Sequence, residues 1–349
     1  VTLPRTTQAA ILVEQNKPLV LAEIDLPDIL LAGQVLVQIH YSGICGSQIG
    51  EINGVKGPDA YLPHLLGHEA SGTVLAIGSG VRYVKVDDKV VLHWRKGPGI
   101  DAAPAVYQWN GRRVNAGCVT TFSSHAVVSE NRLTSIPRDS ELDVAALFGC
   151  AVTTGFGVVV NNAKLSVGES VVVYGAGGIG LSIVQAAAMV SAHPIVAVDL
   201  HDDKLALACS LGATVLINAR NEDARAVILA AVGKAGPDVF IDNTGHPEAI
   251  QLGYEITKPE GRVVLVGVPR KGQNISIYSL PLHFGKQLAG SHGGEARPET
   301  DIPRYHALYR AGRLPLRSLI TDCFDFPDVN DALNRMRQGT IRGRCLLKL

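Results

Sequence analysis

The segment from Ser170 to Gly180 reads SVVVYGAGGIG, an apolar run followed by Gly175, Gly177 and Gly180 in G-x-G-x-x-G spacing, with Gly178 and Ile179 inside it. Where such a run leads into a helix, the first glycine permits a tight turn and the second lets the backbone approach a pyrophosphate. The third lets the helix pack close to the strand. The helix N-terminus then offers unpaired N–H groups and partial positive charge to the phosphates. Asp199 ends the next apolar run, IVAVD. A carboxylate there accepts hydrogen bonds from ribose hydroxyls and repels a 2′-phosphate, so the pattern predicts a dinucleotide site that takes NAD over NADP. Asp199 also has a plainer reading, as a strand-end turn residue or helix cap. Lys204 either reaches the adenosine side or is simply solvated, and Asp202 or Asp203 is placed to cap the helix that follows.

A second chemistry is spread along the chain. Cys45 lies in GICGS, His68 in LGHE and Cys150 in FGC. Two thiolates and an imidazole supply three tetrahedral zinc ligands and leave the fourth position for water or substrate. An open site of that kind polarises an alcohol or carbonyl oxygen. Taken singly, each residue has a structural explanation: Cys45 and Cys150 as small buried hydrophobes, His68 as a satisfied core histidine. The spacing alone does not decide between the two.

These residues need two kinds of scaffold. Up to about residue 150 the chain is short β-rich segments broken by glycine and proline, with VLVQIH (35–40), ASGTVLAI (70–77), KVVLH (89–93) and HAVV (125–128) reading as strands. From Ser170 apolar strands alternate with helical stretches, which predicts a parallel sheet covered on both faces. The last fifty residues or so are mixed, with a helix near 328–338 and a closing strand from Arg344. The expected fold class is therefore α/β, with a coenzyme domain at 152–293 inserted into a β-rich domain formed by 1–151 and 294–349.

Composition agrees. At 349 residues the chain suits about two domains. It carries 32 basic and 32 acidic residues, so no long-range field gathers nucleic acid or anionic lipid. No apolar run reaches the ~18 residues needed to span a bilayer. The six cysteines are widely spaced, which suits free thiols or metal ligands in a reducing cytoplasm better than a disulfide framework.

The ordered set GICGS, LGHEASGTVLAIGSGV, DKVV, GCAVTTG and GAGGIGL resembles the zinc-dependent alcohol dehydrogenases of the medium-chain dehydrogenase/reductase family, over essentially the whole chain. The resemblance implies a GroES-like β-rich catalytic domain and a doubly wound Rossmann coenzyme domain. It makes Cys45, His68 and Cys150 the ligands of one catalytic zinc, and Glu69 an acidic residue able to approach that zinc. Ser47 becomes the hydroxyl that hydrogen-bonds the substrate oxygen and passes its proton outward. Thr154, Val266 and Val268 fall at the nicotinamide and Arg344 at the pyrophosphate. The implied reaction is reversible hydride transfer between a small alcohol and NAD, in a cytoplasmic homodimer or homotetramer. A zinc-free quinone or enoyl reductase would lack the two cysteines and the histidine; a non-catalytic NAD-binding protein is the other alternative.

The chain departs from that pattern in several places. The lobe after DKVV contains only Cys118, and one thiol cannot close a Cys₄ site, so no structural zinc is expected. Trp94 and His93 stand where the family lines its substrate pocket, and an aromatic with polar neighbours suits a polyol, sugar or cyclitol ring. An ordinary packed loop explains Trp94 equally well. Gln48 replaces the usual aspartate behind the zinc-ligating histidine; its amide oxygen is expected to accept the imidazole N–H without charge, giving a looser zinc or compensation elsewhere. Gly50 leaves out a relay histidine, so the proton path runs through ribose and water or through a group such as His93. The segment 272–279, GQNISIYS, reads as an edge strand suited to pairing across a two-fold axis.

Overall fold

The computed structural model describes residues 3–349. The chain divides into two compact units, Val1–Cys150 with Arg297–Leu349, and Ala151–Ala296.

The first unit is built on two sheets. The larger runs Leu133–Ile136, Lys89–His93, Glu69–Ile77, Gln34–Ile44, Arg344–Lys348, Ile320–Asp325, and His125–Ser129 also pairs with Gln34–Ile44. The smaller runs His64–Leu65, Thr6–Leu12, Val20–Asp25, Tyr107–Trp109, Arg112–Val114. Successive strand side chains point to opposite faces, and Gln34–Ile44 buries both. Val35, Val37 and Ile39 join a core with Val74, Val90 and Leu92, whereas Leu36 packs with Ile11, Ile24 and Tyr107. The β-branched runs of the sequence thus become doubly covered strands. The end of the chain returns to its beginning: Cys345 pairs with Ile44 and Leu346 with Gly43, antiparallel. Arg344 is thereby set beside Cys45.

The second unit is a six-stranded sheet in the order Val215–Asn218, Ile195–Asp199, Val171–Tyr174, Val239–Asp242, Arg262–Leu265, Gln287–Gly290. Every neighbouring pair is parallel. Numbered by sequence, this is the 3-2-1-4-5-6 order of a doubly wound dinucleotide fold, whose switch point lies at the carboxyl end of the first strand. Helices Gly178–Met189, Asp202–Ser210, Ala224–Val232 and Pro247–Ile256 connect the strands. Near-continuous apolar strands such as Val171–Val173 are fully buried, as a sheet covered on both faces requires.

One expectation fails here. Residues 272–279 form no strand within the chain, and Gln287–Gly290 holds the sheet position beside Arg262–Leu265. The segment is instead pinned by side chains: Gln251 Oε1 accepts the Ser276 N–H and the Tyr254 hydroxyl donates to the Tyr278 carbonyl. No single described helix is long and apolar enough to cross a membrane.

Candidate functional site

Three segments converge in the first unit. Cys45 follows the strand Gln34–Ile44 in extended conformation and precedes the helix Gly46–Ile52. His68 follows Gly67, whose φ of +92° sets the turn before the strand Glu69–Ile77; a Cβ on Gly67 would lie 2.3 Å from Thr121 Oγ1. Cys150 ends the turn Leu147–Gly149. A Cβ on Gly149 would stand 2.3 Å from the Leu92 carbonyl oxygen and 2.8 Å from Glu69 Cα, so only glycine lets this turn lie against the sheet. The glycines of LGHE and FGC therefore hold the ligands that follow them close together.

The donor atoms of Cys45, His68 and Cys150 lie within 4.8 Å of one another, the two cysteines buried and the histidine half-buried. Zinc bonds of roughly 2.0–2.3 Å in a tetrahedron put ligand atoms ~3.5–4 Å apart, so this soft N/S₂ set fits zinc with one position open. The electrostatics suit a cation as well. A hydrogen bond from Cys150, then His68 and Arg344, hold the Cys45 thiol well below its ordinary value, against a burial that acts the other way. Among the described residues this is the one group of three or more His, Cys, Asp or Glu side chains so arranged.

The surrounding residues take definite positions. The Ser47 Oγ is buried without a hydrogen-bond partner among the described residues. Glu69 is fully buried and paired with the guanidinium of Arg344, which is itself buried. Arg344 also touches Cys45, and its Nε has no partner among the described residues.

Two expectations are corrected. The Gln48 oxygen does not serve the imidazole: it accepts the backbone N–H of Cys45 at 2.7 Å, and the amide nitrogen is the atom that meets His68 Nδ1. His93 is not available for a proton path or a substrate pocket. Its Nδ1 meets the Arg95 carbonyl at 2.8 Å and its Nε2 the Thr134 hydroxyl at 2.9 Å, so both nitrogens are spent inside the fold. Burial pushes its pKa down to about 4, which keeps the ring neutral. Next to it, the Trp94 carbonyl accepts from Arg132, and the Arg95 guanidinium lies 5.8 Å from the indole centroid.

A cavity of about 600 Å³ opens on Gln48 and His68. Its walls include Gln15, Lys56, Asp59, Tyr61, His64 and Asn115, but neither Trp94 nor His93. Asp59 accepts from His64 Nε2 at 2.8 Å and from the Tyr61 N–H at 2.8 Å, while Asn115 donates to the Tyr61 carbonyl at 2.7 Å. These wall residues escape a sequence reading. The one signal was a polar, proline- and glycine-containing loop directly before LGHE.

The second unit builds its site locally. Gly175 has a φ of +99°, and a Cβ on Gly180 would stand 2.0 Å from the Gly175 carbonyl oxygen. A Cβ on Gly177 would meet nothing within 4 Å, so the turn leaves open space where a phosphate would approach. Gly178 and Ile179 open the helix Gly178–Met189. Asp199 faces this turn: its Oδ2 accepts the Ala176 N–H at 2.8 Å, and its Oδ1 accepts from Leu200 and His201. Lys204 is half-buried in the next helix. Thr154 is buried in the helix Ala151–Gly157, its Oγ1 without a partner among the described residues. Val266 and Val268 follow the strand Arg262–Leu265, and Val268 is 60% exposed.

Comparison with known proteins places the chain in a family. Residues 31–138 match the family model of the alcohol dehydrogenase GroES-like domain, and residues 178–309 that of the zinc-binding dehydrogenases. The S-(hydroxymethyl)glutathione dehydrogenase of Synechocystis sp. is 32% identical over 95% of this chain and 97% of its own length. The alcohol dehydrogenase class-3 of Cereibacter sphaeroides is 30% identical over the same shares. Among solved structures, benzyl alcohol dehydrogenase from Acinetobacter calcoaceticus superposes with a TM-score of 0.89 at 27% identity, covering 99% of this chain and 100% of that one. The chain belongs to the zinc-dependent alcohol dehydrogenases of the medium-chain dehydrogenase/reductase family, oxidoreductases acting on CH–OH groups.

Proposed function

We propose that the chain carries a hydride reversibly between the carbon of a small polar alcohol and NAD, using one zinc held by Cys45, His68 and Cys150. The observation that carries this reading is the buried cluster of two thiols and an imidazole within 4.8 Å, with the partnerless Ser47 Oγ two residues from Cys45. A zinc-free reductase or a merely structural protein has no use for such a cluster. When bound, zinc supplies a Lewis acid for the substrate oxygen, and NAD supplies the hydride acceptor.

The chain's own residues do the rest. Ser47 Oγ accepts the substrate's hydroxyl proton and passes its own outward, a relay that its lack of a protein partner leaves it free to make. The buried Glu69–Arg344 pair sets a carboxylate and a compensating cation by Cys45, and Glu69 would be the acidic group at hand for a metal held there. Asp199 accepts the ribose hydroxyls and disfavours a 2′-phosphate, and Lys204 lies one turn into the helix beyond it. Gly175 to Gly180 receive the pyrophosphate, and Arg344 is the cation that the family resemblance assigns to it. Thr154, Val266 and Val268 orient the nicotinamide.

The substrate reading is a polyol or cyclitol, supported by the polar side chains of Lys56, Asp59 and Asn115 that line the cavity at His68. Cys118 standing alone in its lobe supports one zinc without a structural second. A cytoplasmic homodimer or homotetramer completes the reading. The test is NAD-linked oxidation of a panel of polyols, cyclitols, benzyl alcohol and S-(hydroxymethyl)glutathione by wild type and Cys150→Ser. Turnover of a polyol by wild type alone supports the reading; equal turnover by both proteins overturns the ligand assignment.

A further inference from the structure

The amide of Gln48 joins two of the three candidate metal ligands. It is 1% exposed, and its oxygen lies 2.7 Å from the backbone nitrogen of Cys45. A backbone N–H only donates, so the oxygen must be the atom that faces it. That fixes the sense of the whole amide and leaves its NH₂ against His68 Nδ1. An amide NH₂ only donates, so Nδ1 must present a lone pair there, and a neutral ring then carries its hydrogen on Nε2. Nδ1 being occupied by Gln48, Nε2 is the nitrogen left for the thiols, whose sulfurs lie within 4.8 Å of the ring's ligand atom.

We propose that Gln48 is a positioning residue that holds His68 in the Nε2–H tautomer and so opposes metal binding, making this a deliberately loose zinc site. A metal needs a lone pair on Nε2, which requires the hydrogen on Nδ1 and an acceptor for it. Gln48 supplies that acceptor only by turning its amide over, and the turned amide sets its NH₂ against the Cys45 N–H. Either the ring or the Cys45 backbone loses its partner when metal enters. A carboxylate of the same length removes the conflict, because both its oxygens accept. This inference rests on the zinc assignment of Cys45, His68 and Cys150.

The test uses the full chain, freed of metal, with ¹⁵N-labelled histidine. Long-range ¹H–¹⁵N spectra report each ring's tautomer, and His68 is assigned by the signals lost in His68→Gln. The wild type is expected to show the Nε2–H pattern for His68, and Gln48→Glu the Nδ1–H pattern. Zinc affinity, read by competition with a chelator, is expected to be about 10–100-fold tighter in Gln48→Glu, the range in which a partner behind a metal-bound histidine acts. An Nδ1–H pattern in the metal-free wild type overturns the proposal without needing any variant at position 48. Unchanged or weaker zinc binding by a folded Gln48→Glu overturns it as well. Failure of the parent assignment looks different: Cys150→Ser then binds zinc as tightly as wild type, whatever tautomer His68 adopts.

Discussion

The two candidate sites are built in opposite ways. In the second unit a single strand–turn–helix supplies nearly everything: Gly175, Gly177 and Gly180 shape the turn, and Asp199 arrives from the adjacent parallel strand to accept the Ala176 N–H. In the first unit no two ligands are close in sequence. Cys45, His68 and Cys150 meet because the central strand, the turn after Gly67 and the turn at Gly149 are packed against one another, and the last strand adds Arg344. A local site depends on backbone shape at a few positions. A dispersed site depends on how buried polar groups share their hydrogen bonds, and Gln48, Glu69 and Arg344 carry that burden here.

The largest expected effect separates the two sites. Cys150→Ser should lower alcohol oxidation to background while NADH binding, followed by fluorescence, stays within about twofold. Loss of NADH binding as well would break the view that the sites are independently built. The converse is Gly180→Ala, whose Cβ would stand 2.0 Å from the Gly175 carbonyl oxygen. Forcing the helix away should cost about 1–3 kcal/mol in denaturant unfolding and abolish NADH binding, with zinc content retained.

The buried His93 gives the first unit an acid limit of its own. Its pKa falls from an ordinary 6.5 to about 4 by burial, so the unfolded chain binds the proton more readily. Stability is therefore full above pH 6.5 and is lost progressively as pH falls toward 4, by up to about 3 kcal/mol from this group. Urea midpoints across that window check it, and His93→Gln should flatten the slope. A smaller effect is expected at Asp199→Ala, which should relax the preference for NAD over NADP about tenfold in kcat/KM without altering zinc content. Smallest is Lys56→Ala: loss of one exposed hydrogen bond in the cavity should raise the KM for a polyol by roughly 3–10-fold, near 1 kcal/mol, with kcat unchanged.

The same contrast governs what a sequence reading reaches. The glycine turn, Asp199 and the alternation of the parallel sheet are local patterns, and the structure reproduces them at the expected positions. The three ligands were legible as residue types, but only packing brings them within reach of one ion. His93 was misread because its partner Thr134 comes from the neighbouring strand, in the register Leu92↔Leu133. The sense of the Gln48 amide was misread because it is set by the Cys45 N–H, a backbone group that residue identity does not reveal. The cavity wall of residues 54–64 went unnoticed because an irregular loop has no period to detect. Residues 272–279 have strand-like residues yet form no strand within the chain, where side chains of Gln251 and Tyr254 hold the segment instead.

The central claim is that Cys45, His68 and Cys150 hold one zinc. The most direct measurement is zinc per chain, by atomic emission, after equilibrium dialysis of wild type and Cys150→Ser against zinc, with the dialysate zinc subtracted. About one zinc in the wild type and close to none in the variant is the predicted result. The same zinc content in both proteins, or two per wild-type chain, would contradict it.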